Sequence, residues 1–186
     1  MNPILIFFAA LILPSLTFAQ DKLEFAAADG KTYQPFIIGE KKANVLIFVS
    51  PYCPTSNTFT PEINQIAEDY AAHFGFYLVQ SDPALSLTDA IQYIELFKVQ
   101  APVLLDQMQQ LAKSVQAQVT PEAVVLGGNG EVLYQGRIND LYAGPTKKQR
   151  KATTRDLRDV LEAIVAGKPV ANVKTEAIGC KISPAK

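Results

Sequence analysis

Histidine is nearly absent from this chain: His73 is the only one among 186 residues. No Cys, Asp or Glu falls around it at metal-ligand spacing, which removes cysteine–histidine protease chemistry and most zinc sites, and no metal or cofactor is expected. An excess of charge is missing too. With 17 basic and 18 acidic residues the formal charge is −1, so there is no electrostatic case for binding nucleic acid. Internal repeats and low-complexity segments are lacking, and the length suits one domain with a full core. Cysteine is scarce, with only Cys53 and Cys180.

The first nineteen residues carry no charge at all. Their apolar core, Ile4 to Leu13, is followed by Pro14 and the small-residue exit Leu16-Thr-Phe-Ala19, the form of a secretory signal peptide, although its start lacks the usual Lys or Arg. The stretch is shorter than the ~20 residues a membrane span needs. Cleavage after Ala19 is therefore expected, with membrane contact only through the signal segment and a periplasmic or extracellular destination. In such an oxidising compartment a thiol is either paired or engaged in redox chemistry.

Cys53 stands where an unbroken apolar run, Val45 to Val49, meets the start of a helical pattern marked by Ile63, Ile66, Ala67 and Tyr70. A helix N-terminus directs unpaired N–H groups at a sulfur and lowers its pKa, so this placement predicts a reactive, exposed nucleophile. Ser56, three residues on, can turn its hydroxyl to the same sulfur. It also suits a plain helix-start residue.

Around this point the pattern alternates. Leu23 to Phe36, broken by Asp29-Gly30, reads as a short leading hairpin or an edge strand. Phe74 to Val79 reads as a strand, Leu87, Ile91, Ile94 and Phe97 repeat at helical spacing, Ala101 to Leu105 is a short strand, and a helical piece spans Met108 to Val115. Ala123–Leu126 and Glu131–Gly136 form a hairpin through Gly127-Gly-Asn-Gly130, which is a turn and not a phosphate loop because no helix follows it. The closing helix has Leu157, Val160, Leu161 and Ile164 as its stripe, a cap at Thr153 or Thr154 with Asp156 at capping-box spacing, and a stop at Gly167 and Pro169. Strand–helix alternation giving way to a hairpin predicts an α/β fold, a three-layer sandwich whose central mixed sheet has helices on both faces. The expected organisation is a signal peptide over 1–19, a domain over 20–169 and a tail over 170–186 that is docked or loose.

Cys53-Pro-Thr-Ser56 resembles the thioredoxin active-site motif Cys-x-x-Cys with serine in place of the second cysteine. Pro61 stands where thioredoxins carry a helix proline, and Val119-Thr120-Pro121 before Ala123–Leu126 resembles their cis-proline loop; the match covers roughly residues 40 to 137. Gly167-Lys-Pro169, Gly179-Cys-Lys-Ile182 and Tyr134 to Asp140 are similar to exported proteins of redoxin (AhpC-TSA) type that end in Gly-Cys-x-Ile. The resemblance implies a thioredoxin-like fold and thiol–disulfide exchange. It also implies a cis Thr120–Pro121 bond beside Cys53, with Thr120, Pro121, Tyr52 and Pro54 lining the substrate site. Partners would be protein thiols or disulfides and a reducing protein.

The motif lacks a second thiol, which makes Cys180 the only other one available. Fourteen residues separate it from the last helix, a reach of up to ~45 Å. Three fates remain open to Cys180: partner of Cys53 as resolving thiol or resting disulfide, contact with another protein, or none. Other functions compete as well. A peroxiredoxin-like peroxidase would fit Ser50 three before Cys53, but Leu46 stands where those enzymes have proline. Copper carriers use Cys-x-x-x-Cys with a distant His, and that spacing is missing; a binding module on a thioredoxin scaffold stays open. Glu122 reads as a solvated turn residue, and Lys147, Lys148, Arg150, Lys151 and Arg155 as a basic, mostly solvated patch able to steer an acidic partner.

Overall fold

The computed structural model describes residues 23–184; the expected signal segment lies outside the described residues. The chain opens with β1 (Phe25–Ala26) and β2 (Thr32–Tyr33), paired antiparallel. It continues through β3 (Ala43–Phe48), α1 (Pro54–Tyr70), β4 (Phe74–Gln80), α2 (Leu87–Phe97), β5 (Val103–Leu105) and α3 (Gln110–Val115). Then come β6 (Val119–Thr120), β7 (Glu122–Leu126), β8 (Val132–Gly136), α4 (Asp156–Val165) and β9 (Cys180–Lys181).

Five strands form the central sheet in the order β5-β4-β3-β7-β8. β3 lies parallel to β4 and β4 to β5, while β7 runs antiparallel to both β3 and β8. Every residue of β3 is buried, as an uninterrupted apolar run between two covering layers requires. Alternation then sends its side chains to different cores. Val45 and Ile47 pack with Phe59, Ile63 and Ile66 of α1, Tyr93 of α2 and Leu157 and Leu161 of α4. Leu46 and Phe48 pack with Leu111 and Val115 of α3 and Phe25 of the leading hairpin. The result is the expected α/β fold, thioredoxin-like in architecture: a mixed sheet between helical layers, the second layer completed by the hairpin.

Two helices differ from expectation in how they are held. α2 forms, but it buries Ala90 and Tyr93 and leaves Leu87 and Ile91 exposed, because the face it turns to the core is centred on Ala90, Tyr93, Ile94 and Phe97. At α4 the cap residue is Arg155, whose side chain makes no capping bond to the helix and pairs with Glu162 instead. The expected Thr153–Asp156 box is absent because both partners are engaged elsewhere. Asp156 accepts from Arg137 and contacts the Thr154 hydroxyl, while Asp140 accepts the Thr154 N–H at 3.0 Å and takes the Thr153 N–H and hydroxyl. The helix ends as expected: the N–H of Gly167 (φ +66) donates to Ile164 O and that of Lys168 to Ala163 O, a Schellman closure that needs the left-handed conformation glycine allows.

Beyond Pro169 the chain is docked. Residues 173–175 run along β8, with Gln135 N–H donating to Val173 O and Thr175 N–H to Gln135 O, both at 3.0 Å. The Thr175 hydroxyl accepts the Arg137 N–H at 3.1 Å and lies 2.7 Å from the Tyr134 hydroxyl. From there the chain crosses to β6, where β9 pairs antiparallel.

Candidate functional site at the start of the first long helix

β3 delivers the chain to a tight turn, Ser50 to Cys53, closed by the Cys53 N–H on Ser50 O at 3.1 Å, and Cys53 is the N-cap of α1, with Pro54 at the first helical position. Proline costs nothing there, since its missing N–H has no intrahelical partner in any case. The Ser56 N–H donates to Cys53 Sγ at 3.4 Å, so backbone dipoles converge on the sulfur. Ser56 itself is fully buried and its hydroxyl accepts the Ser50 N–H at 3.2 Å. The hydroxyl thus serves the turn's own N–H, and the contact Ser56 makes with the sulfur is through its backbone N–H.

Opposite Cys53 lies the Thr120–Pro121 peptide, in the cis form. The Thr120 carbonyl oxygen is 3.0 Å from Cys53 Sγ. Glu122 fixes this loop. Read from sequence as a solvated turn residue, it is only 7% exposed, because its carboxylate accepts the N–H groups of Gln118 at 2.8 Å and Val119 at 3.3 Å and the Gln135 side-chain amide at 2.9 Å. The Gln118 and Val119 N–H groups, part-buried at this turn, depend on that carboxylate for a partner.

The structure joins Cys53 to Cys180 in a disulfide, Cα to Cα 5.8 Å, across a sequence separation of 127 residues. β9 sets the register, with Cys180 opposite Thr120 and Lys181 opposite Val119. Cys53 is 1% exposed, so the expectation of an exposed thiol is corrected for this disulfide form: the returning tail covers it, and Cys180 itself is exposed. A cavity of about 150 Å³ borders the disulfide, lined by Ser50, Tyr52, Asp82, Thr120, Lys181 and Ser183 among others. Tyr52 stands at its mouth, 64% exposed. Its hydroxyl donates to Asp89 at 3.0 Å, and that bond holds the phenol above its ordinary pKa. Pro54 is exposed beside it. Of the residues singled out from sequence, Cys53, Ser56, Thr120, Pro121, Tyr52, Pro54 and Cys180 all gather here.

Other candidates do not. His73 is exposed just past the far end of α1, and the basic residues Lys147, Lys148, Arg150 and Lys151 are exposed on the loop before α4. Among the described residues no group of three or more His, Cys, Asp or Glu side chains is assembled to hold a metal ion, and no helix is long and apolar enough to cross a membrane.

The pattern of the thioredoxin-like family matches residues 40–132, half of the chain. The chain belongs to the thioredoxin-like family. No curated protein matches it. Among solved structures it is similar to a hypothetical protein from Sinorhizobium meliloti, with TM-score 0.75 and 24% identity over 86% of this chain and 89% of that one. An uncharacterized conserved protein from Geobacillus kaustophilus gives the same TM-score and identity over 87% and 89%. A secreted Mycobacterium tuberculosis disulfide oxidoreductase, described as homologous to E. coli DsbE, gives 0.58 and 16% over 77% and 97%. At these identities the likeness is one of fold.

Proposed function

We propose that this thioredoxin-like protein is an exported thiol–disulfide oxidoreductase in which Cys53 is the nucleophile and Cys180 the resolving thiol. The observation that carries the reading is the meeting of three features at one sulfur: a helix N-terminus, the Thr120–Pro121 loop and a cysteine returned by the tail. The names of the Mycobacterium tuberculosis relatives, a secreted disulfide oxidoreductase and DsbF, agree with it. The apolar run from Ile4 to Leu13 and the small-residue exit at Ala19 support export. On this reading residues 20–169 are the catalytic domain and 170–186 a tail that belongs to the mechanism.

In the reduced protein the Cys53 thiolate attacks one sulfur of a protein disulfide. A Cys53–substrate bond forms, the substrate S–S bond breaks, and the other substrate sulfur leaves as thiolate with the electron pair and is then protonated. Cys180, as thiolate, attacks Cys53 Sγ and expels the first substrate sulfur. The substrate gains two electrons and two protons, and the chain is left with the 53–180 disulfide. A dithiol protein restores it by the same exchange. Thr120 would pair with the substrate backbone, Pro121, Tyr52 and Pro54 would border it, and Ser56 would present its N–H to the thiolate.

Trapping tests this. Reduced Cys180→Ser protein mixed with a protein disulfide such as insulin is expected to accumulate a mixed disulfide on Cys53, since the first step needs one thiol and the second needs Cys180. Turnover by Cys53→Ser protein at the wild-type rate would end the reading.

A further inference from the structure

The tail does more than deliver a sulfur. Cys180 and Lys181 pair with Thr120 and Val119 as an antiparallel strand outside the central sheet, and the Ile182 N–H donates to Gln118 O at 2.9 Å. Ile182 packs against the apolar cluster that includes Leu111, Ala112 and Val115 of α3. It forms one wall of a groove of about 530 Å³ whose other walls include Ala112, Gln116, Ala117 and Val119. On the other side of Cys180 the fit is tight: a Cβ on Gly179 would stand 2.0 Å from Thr120 O and 3.1 Å from Pro121 N. Both contacts are with backbone, so no side-chain movement relieves them. Residues 179–182 are thus seated as a peptide would be, with a main-chain ladder, one position that accepts only glycine, one sulfur position and one apolar anchor.

We propose that β6 and the apolar surface of α3 beside it form a binding site for an extended polypeptide segment of the pattern Gly-Cys-x-Ile, or another branched aliphatic residue in the last place, which the tail occupies in the disulfide form and vacates on reduction. The inference rests on Cys53 being the nucleophile, as proposed above, and adds the substrate's local sequence and the means of product release. While the tail is bonded, Cys53 is covered and the edge of β6 that β9 pairs with is occupied. Breaking the 53–180 bond leaves β9 held by its two-residue ladder, the Ile182 N–H bond to Gln118 O, the Gln109 side-chain amide on Ser183 O and one part-buried isoleucine, all non-covalent. A substrate cysteine preceded by glycine then takes the vacated register, opposite Thr120. When Cys180 returns to resolve the mixed disulfide, its strand displaces the substrate's main chain from β6, so bond exchange and release are one event.

The substitutions that test this lie in a peptide, so folding of the protein does not enter. Full-length Cys180→Ser protein is offered the peptide of residues 177–183 carrying thionitrobenzoate on its cysteine. The Cys53 thiolate attacks the peptide sulfur and thionitrobenzoate leaves with the electron pair, giving a coloured signal. Peptides with Gly179→Ala or Ile182→Asp are expected to react about tenfold or more slowly than the natural one. Equal rates for all three peptides would overturn the groove while leaving Cys53 a nucleophile. No reaction with any peptide, or with a small aromatic disulfide, would overturn the proposed function and this inference with it. In the wild-type chain, reduction should also speed amide exchange at Ile182; unchanged protection would show that the tail stays docked and would contradict the release step.

Discussion

At the scale of residues, the two sulfurs of the disulfide are unequal. Cys53 is buried and backed by the Ser56 N–H and the start of α1, while Cys180 is exposed on a two-residue strand. Exchange favours attack on the accessible sulfur with departure of the better-stabilised thiolate. An incoming reductant should therefore bond to Cys180 and release Cys53. Acid quenching of the oxidised protein after brief exposure to a labelled small thiol, followed by peptide mapping, should find the first adduct on Cys180; an adduct first on Cys53 would reverse this order. After reduction, alkylation of Cys53 followed against pH should give an apparent pKa below the ~8.5 of a free cysteine. The helix-start position of Cys53 was legible in the sequence, since an apolar run before a helical stripe defines it. Its burial was not, because the cover comes from a segment 127 residues away.

At the scale of elements, carboxylates hold the pieces that frame the site, and the sequence did not disclose them. Buried Asp106 accepts the N–H groups of Leu111 at 3.1 Å and Ala112 at 2.9 Å, and so caps α3. Glu122 does the same for the turn into β6, and Asp140 for the approach to α4. Each acts on amides that only the folded turn brings within reach, so spacing rules written for a continuous helix, which pointed to Thr153 and Asp156, miss them. Glu122→Ala strands the Gln118 and Val119 amides and should cost about 1–3 kcal/mol in urea unfolding. Asp140→Ala should cost about 1 kcal/mol, the usual net worth of a side-chain hydrogen bond to backbone. The Thr153 and Thr154 bonds hold the Asp140 carboxyl well below the usual carboxylate range. A folded pKa below the unfolded one adds stability above the unfolded value of about 4 and loses it as pH falls further. Asp140→Asn should accordingly flatten the acid limb of the stability curve, measured as urea midpoints at stepped pH. The strands and helices themselves followed the apolar periodicity closely. α2 departs from it, since Leu87 and Ile91 fit the helical repeat but face solvent.

At the scale of the whole molecule, the two cores and the tail respond to different conditions. Burial pushes the hydroxyls of Tyr93 and Tyr134 up to about 12. For such groups the neutral form belongs to the fold, so their contribution is complete below the unfolded pKa of about 10 and is lost as pH rises from there through about 12. Stability should fall across that alkaline interval, and Tyr93→Phe should lessen the fall, read by thermal melts at stepped pH. Reduction acts through the chain ends instead. A disulfide closing so long a loop restrains the unfolded chain, and its loss should lower stability by about 2–5 kcal/mol. The central claim is that Cys53 and Cys180 form one redox couple within a single chain. A titration of the full-length protein in thiol–disulfide buffers, read by peptide mass mapping, tests it most directly. The account predicts a single two-electron transition, about 30 mV per tenfold change in ratio, with the two cysteine peptides linked on the oxidised side and separate on the reduced side. Two cysteines titrating independently, or linkage found only between chains, would contradict it.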